Sequence, residues 1–150
     1  VLVVKKCLFK ILFFSINRYY HWDIEKCKTS YEYSDKMFLN NQLIKYGSYY
    51  PKEAIYTLYQ LNIDELLPEI LISVESILST TKLDNNKLIE ELKGDSEQII
   101  NMIIVKAFVY YSDKIKEDKE LIESYEKLLK RLIELNFSNA CIILDEFRVH

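Results

Sequence analysis

Leu121, Tyr125, Leu128, Leu129, Leu132 and Leu135 follow one another at intervals of four, three, one, three and three residues. A helix of 3.6 residues per turn gathers such positions on one face, whereas a strand of period two scatters them over both. Ala54, Ile55, Leu58 and Leu61 repeat the spacing, and Ile99 to Tyr111 is apolar at eleven of thirteen positions, which predicts a helix enclosed by others. No stretch alternates apolar and polar residues between turn signals. The fold class is therefore all-α, with six to eight helices in antiparallel hairpins.

The punctuation between apolar runs supplies the boundaries. A first helix is expected from about Val4 to Tyr20, and Thr29-x-x-Glu32 has the form of a capping box for the next. That second helix carries Met37, Phe38, Leu43, Ile44 and Tyr46 and is expected to stop at Gly47 in a left-handed conformation. Pro51 suits a first helical position, where its missing N–H costs nothing. Asn62 is then the terminator, Asp64 the next N-cap, and Pro68 the place where the regular helix should begin. After a break at "STTKLDNN" come a short helix to Lys93, a stop at Gly94, a cap at Asp95 or Ser96, and two long helices.

One unit is echoed. "LYQLNIDELLPEI", Leu58 to Ile70, aligns with "LIELNFSNACIIL", Leu132 to Leu144, at three identical positions of thirteen. In the second copy Asn136 takes the terminator's place, Ser138 the cap's, and Phe137 is positioned to staple onto Ile142. The hairpin "PKEAIYTLYQLNIDELLPEILISV" resembles a HEAT-type helical repeat: an Ala and spaced Leu residues, a tight turn, then an acidic, apolar start led by Pro. The resemblance covers Pro51 to Val74 and implies a short α-α superhelix of stacked hairpins. A compact helical bundle is the alternative, because no steady period links the copies.

With 150 residues the chain is expected to form one domain and to bury about 70% of its unfolded surface, so no metal or disulfide staple is required. Residues 1–30 are expected to form a peripheral or poorly ordered segment. Three cysteines, Cys7, Cys27 and Cys141, make neither an even disulfide set nor a C-x-x-C pair, so reduced thiols and a cytoplasmic location are expected. The apolar start "VLVVKKCLFKILFFSI" is interrupted by Lys5, Lys6 and Lys10 and falls short of the roughly 20 apolar residues a membrane span needs.

Charge and residue types exclude several chemistries. The net charge of −3 splits into +4 over residues 1–30 and −7 over the rest, the reverse of a folded body that binds nucleic acid directly. Gly47 and Gly94, the chain's two glycines, cannot make a phosphate-cradling loop, so no nucleotide cofactor is expected. Histidine is confined to His21 and His150, and His21 with Asp23, Glu25 and Cys27 matches no usual zinc spacing. No metal, cofactor or catalytic residue is assigned. The paired carboxylates Glu65 with Glu69, Glu90 with Glu91, Glu117 with Asp118 and Asp145 with Glu146 read as solvated helix faces.

What remains is a surface for another protein. Tyr46, Tyr49, Tyr50, Tyr56 and Tyr59 crowd one helix that can bury a single stripe, so some must face outward, where tyrosine gives contact area at low entropic cost. Tyr49, Tyr50, Glu53, Tyr56 and Asp64 are the candidate partner-binding residues. The expected function is non-catalytic protein binding, as in an immunity- or antitoxin-like inhibitor that an acidic surface steers toward a basic toxin or nuclease. Two rival readings are a membrane-surface protein docking through residues 1–20 and a hydrolase built on His21 with its neighbouring acids.

Overall fold

The computed structural model describes residues 41–60 and 63–149. Among them are seven helices and no strand. Helical residues 41–47 form α1, followed by α2 (Pro51–Tyr59), α3 (Ile63–Thr80), α4 (Asn85–Leu92), α5 (Asp95–Glu117), α6 (Lys119–Glu134) and α7 (Ser138–Val149). The all-α expectation holds. The expected helix from Val4 to Tyr20, the capping box at Thr29 and Glu32, the peripheral segment 1–30, Asn62, Cys7, Cys27, His21 and the docking segment 1–20 all lie outside the described residues.

The two echoing hairpins form, α2 against α3 and α6 against α7. They do not stack as a superhelix. α5 packs against α2, α3, α4, α6 and α7, while α3 and α6 make the most extensive helix pair. A solenoid restricts each repeat to its neighbours in the row, whereas α3 of the first hairpin packs directly on α6 of the last, across the intervening α4 and α5, which is the contact of a bundle. The seam is apolar throughout: Leu67, Ile70, Leu71, Val74, Ile77 and Leu78 of α3 are buried, as are Leu121, Tyr125, Leu128, Leu129 and Leu132 of α6. Each such side chain contributes about 1.5–3 kcal/mol when fully removed from water.

Tyr125 ties three helices together. Its hydroxyl donates to the Ile104 carbonyl of α5 at 2.7 Å, and its ring meets Phe147 of α7 edge-on at 5.1 Å between centroids. The low-dielectric surroundings push the phenol pKa above its ordinary value, because they disfavour the phenolate. Arg131 of α6 makes a second tie: Nε donates to the Leu78 carbonyl in the last turn of α3 at 3.0 Å, and Nη1 reaches Asn85 Oδ1 at 2.9 Å and Glu134 Oε2 at 2.8 Å. A cation placed there also offsets the negative end of α3.

Several boundaries match their signals. Pro51 opens α2, Asp84 caps α4 by accepting from the Lys87 N–H at 2.9 Å, and Gly94 has φ +91°. Asn136 ends α6 at φ 68°, with its N–H donating to Ile133 and that of Phe137 to Leu132, which together form a Schellman turn.

Others differ, each for a physical reason. Gly47 is not left-handed: a Cβ there would lie 2.9 Å from Ile77 Cγ1 and 3.0 Å from Ala54 Cβ, so the glycine admits close helix contact instead of a special backbone angle. α3 starts at Ile63 and runs through Pro68, which makes Asp64 a first-turn residue and not the N-cap. Burial of Leu67, Ile70 and Leu71 on either side of the proline outweighs the backbone bond it removes. α5 begins at Asp95, one residue after Gly94, so neither Asp95 nor Ser96 precedes the helix as a cap.

At the second hairpin Ser138 is already helical, and Phe137 turns into the core while Ile142 stays 63% exposed, so the expected staple between them is absent. α5 is not enclosed all round either, since Val105 and Val109 are exposed.

Candidate functional site

The candidate face is built where two turns are tied together. The Ser48 carbonyl, in the turn between α1 and α2, accepts from the Lys82 N–H at 2.8 Å and from Thr81 Oγ1 at 3.2 Å, both in the link between α3 and α4. The Ser48 hydroxyl is itself satisfied by the Lys45 carbonyl at 2.7 Å. These bonds join segments 33 residues apart and bring the N-terminal turns of α2 and α4 side by side.

α2 shows its composition in its orientation. Ala54, Ile55 and Leu58 point inward, and buried Thr57 is satisfied by donating to the Glu53 carbonyl at 2.8 Å. The opposite face carries Lys52, Tyr56, Tyr59 and Gln60, all exposed. Tyr49 precedes the helix at 52% exposure, against 53% for Tyr56 and 42% for Tyr59. Exposed tyrosine rings on a rigid helix and its leading turn present ready-made contact area.

The five residues expected to form the site are not equivalent. Tyr49 and Tyr56 are on the surface. Tyr50 is half-buried and packs against the core, its ring tilted against that of Tyr49 at 6.5 Å, and Glu53 is half-buried on the flank of α2. Asp64 belongs to the first turn of α3, and its side chain lies outside the described residues. Tyr46 is held against the core with the Lys45 ammonium 5.8 Å from its ring centroid.

Sequence reasoning missed the neighbours of this face. Lys52 of α2 and Leu83, Asn86, Lys87, Glu90, Glu91 and Lys93 on or beside α4 line an open groove of about 500 Å³. Glu90 is engaged by Lys93 at 2.9 Å, which holds the Lys93 pKa above its ordinary value through that hydrogen bond and charge. No local pattern marks Lys52 and Lys87 as neighbours, because the packing of α2 on α4 and the Ser48 tie between the turns bring them to one groove.

The other candidate chemistry is spread out. Asp118 of the Glu117–Asp118 pair is committed to capping α6, accepting from Glu120 and Leu121. Among the described residues no group of three His, Cys, Asp or Glu could hold a metal ion, and no helix is long and apolar enough to cross a membrane. Cys141 is a free, exposed thiol on α7. The chain matches no protein-family model, no curated protein and no solved structure.

Proposed function

We propose that this chain acts without catalysis, by binding another protein through the outer face of α2 and the turn before it, in the manner of an immunity- or antitoxin-like inhibitor that covers a partner's working surface. The observation that carries the reading is the exposure of Tyr49 just before α2 and of Tyr56 and Tyr59 on it, where the helix's remaining apolar residues are buried. Burying such rings against a partner releases water over a large area while freezing few rotatable bonds. Tyr49 and Tyr56 are the anchors in this reading, with Glu53 and Asp64 as the acidic neighbours and Tyr50 supporting the turn from below.

The test is capture of partners by the tagged full-length chain from its native host, at low and high salt. One stoichiometric protein should be retained by the parent and lost when Tyr49 and Tyr56 are both changed to Ala. Equal recovery of that protein by the double variant overturns the reading.

A further inference from the structure

We infer that residues 1–20 of this same chain dock along the outer side of α5, over Val105 and Val109, so that the central helix is covered by its own N-terminal segment. α5 is apolar at eleven of thirteen positions from Ile99 to Tyr111, a pattern that belongs to a helix enclosed on every side. Helices α2, α3, α4, α6 and α7 all pack on it, yet Val105 stays 42% and Val109 60% exposed. The two stand one above the other, four residues apart, with half-buried Met102 and Phe108 beside them. α7, packed against α5, adds exposed Ile142. Laying a second apolar element on this strip removes further apolar area from water.

Composition and charge select the occupant. Residues 1–20 are apolar at fourteen of twenty positions and carry Lys5, Lys6, Lys10 and Arg18 with no acid, a charge of +4. α5 and α7 together carry six acids and four bases, a net −2. The segment therefore brings both apolar area and the opposite sign to this side of the bundle. A second copy meeting the same face would set net −2 against net −2, and an anionic lipid surface would be repelled by the same acids. Reach is no obstacle, since residues 21–40 can span about 70 Å when extended, more than the breadth of a domain of this size.

The test uses the full chain with Cys27→Ser/Cys141→Ser, which leaves Cys7 as its one thiol, carrying a nitroxide spin label. Methyl NMR spectra of Val, Ile and Met are compared before and after the nitroxide is reduced. The Val105 and Val109 methyls should lose most of their signal while the nitroxide is active, and more than exposed Ile72 of α3 and Ile133 of α6. In Val105→Asp/Val109→Asp, at exposed positions that tolerate substitution, the loss at neighbouring Met102 should fall to the level of Ile72. Equal losses at all sites, or none at Val105 and Val109, overturn the inference. So does signal loss when isotope-labelled chains without nitroxide are mixed with spin-labelled ones, because that outcome gives the face to a second copy.

Discussion

The two hairpins that echo each other in sequence have come to different ends. In the C-terminal one, α6 buries a complete stripe from Leu121 to Leu132, and the Schellman turn at Asn136 drives Phe137 into the core. In the N-terminal one, α3 is more apolar than α6, but α2 contributes a narrow inner face and leaves Tyr56 and Tyr59 outside. The comparison teaches that the same local pattern can be spent on stability or on surface. α6 packs on α3, α5 and α7, so its stripe from Leu121 to Leu132 is removed from water, whereas the outer face of α2 with Tyr56 and Tyr59 stays uncovered.

The sharpest way to break this comparison is to truncate one tyrosine from each hairpin. Tyr125→Ala should destabilise the fold by about 3–5 kcal/mol in denaturant unfolding, through lost transfer energy and an unfilled cavity. Tyr56→Ala should stay within about 0.5 kcal/mol, as exposed substitutions do. Comparable losses at the two sites would show that α2 is structural after all.

A smaller effect is expected where α1 meets the N-terminal hairpin. Gly47→Ala adds a methyl against Ile77 and Ala54 and should cost about 1–3 kcal/mol by overpacking, with the groove side chains of α2 and α4 shifting in an NMR comparison. A neutral or stabilising outcome would mean that the contact relaxes easily and that the turn alone selects glycine.

The smallest loss expected within the core concerns the hydroxyl that links α6 to α5. Tyr125→Phe should cost about 1 kcal/mol, the usual net worth of such a hydrogen bond. Its pH dependence has a definite sign. Tyr125 ionises at about 10.0 when unfolded and at higher pH when folded, so its stabilising contribution is complete below pH 10.0 and is lost as pH rises through the folded value. The phenylalanine variant should therefore lose stability less steeply above pH 10.0 than the parent, which alkaline unfolding curves would reveal.

Much of the fold was legible because its signals are local. The helical period at Leu121 to Leu135, proline opening α2, Asp84 capping α4, and glycine and asparagine in left-handed turns all depend on the few residues around them. The misreadings share one cause, since each concerns a residue whose role is set by what packs on it. Gly47 answers to Ile77, Pro68 is carried inside α3 by its buried neighbours, and Phe137 and Ile142 are divided by which of them faces the core.

The candidate site divides along the same line. Its tyrosines were recognisable, because a helix that buries one stripe cannot hide five of them. Which ones face outward was settled by where the core lies relative to α2, and that depends on helices distant in sequence. The groove is wholly tertiary: the Ser48 carbonyl joins two turns and sets Lys52 beside Lys87, with no trace in the spacing of either lysine. By itself the sequence determined the helical class and most helix ends, which follow from short-range sterics and hydrogen bonding. The tertiary structure decided bundle over superhelix and which tyrosines face outward, because those arise from contacts that the chain makes only after it has folded back on itself.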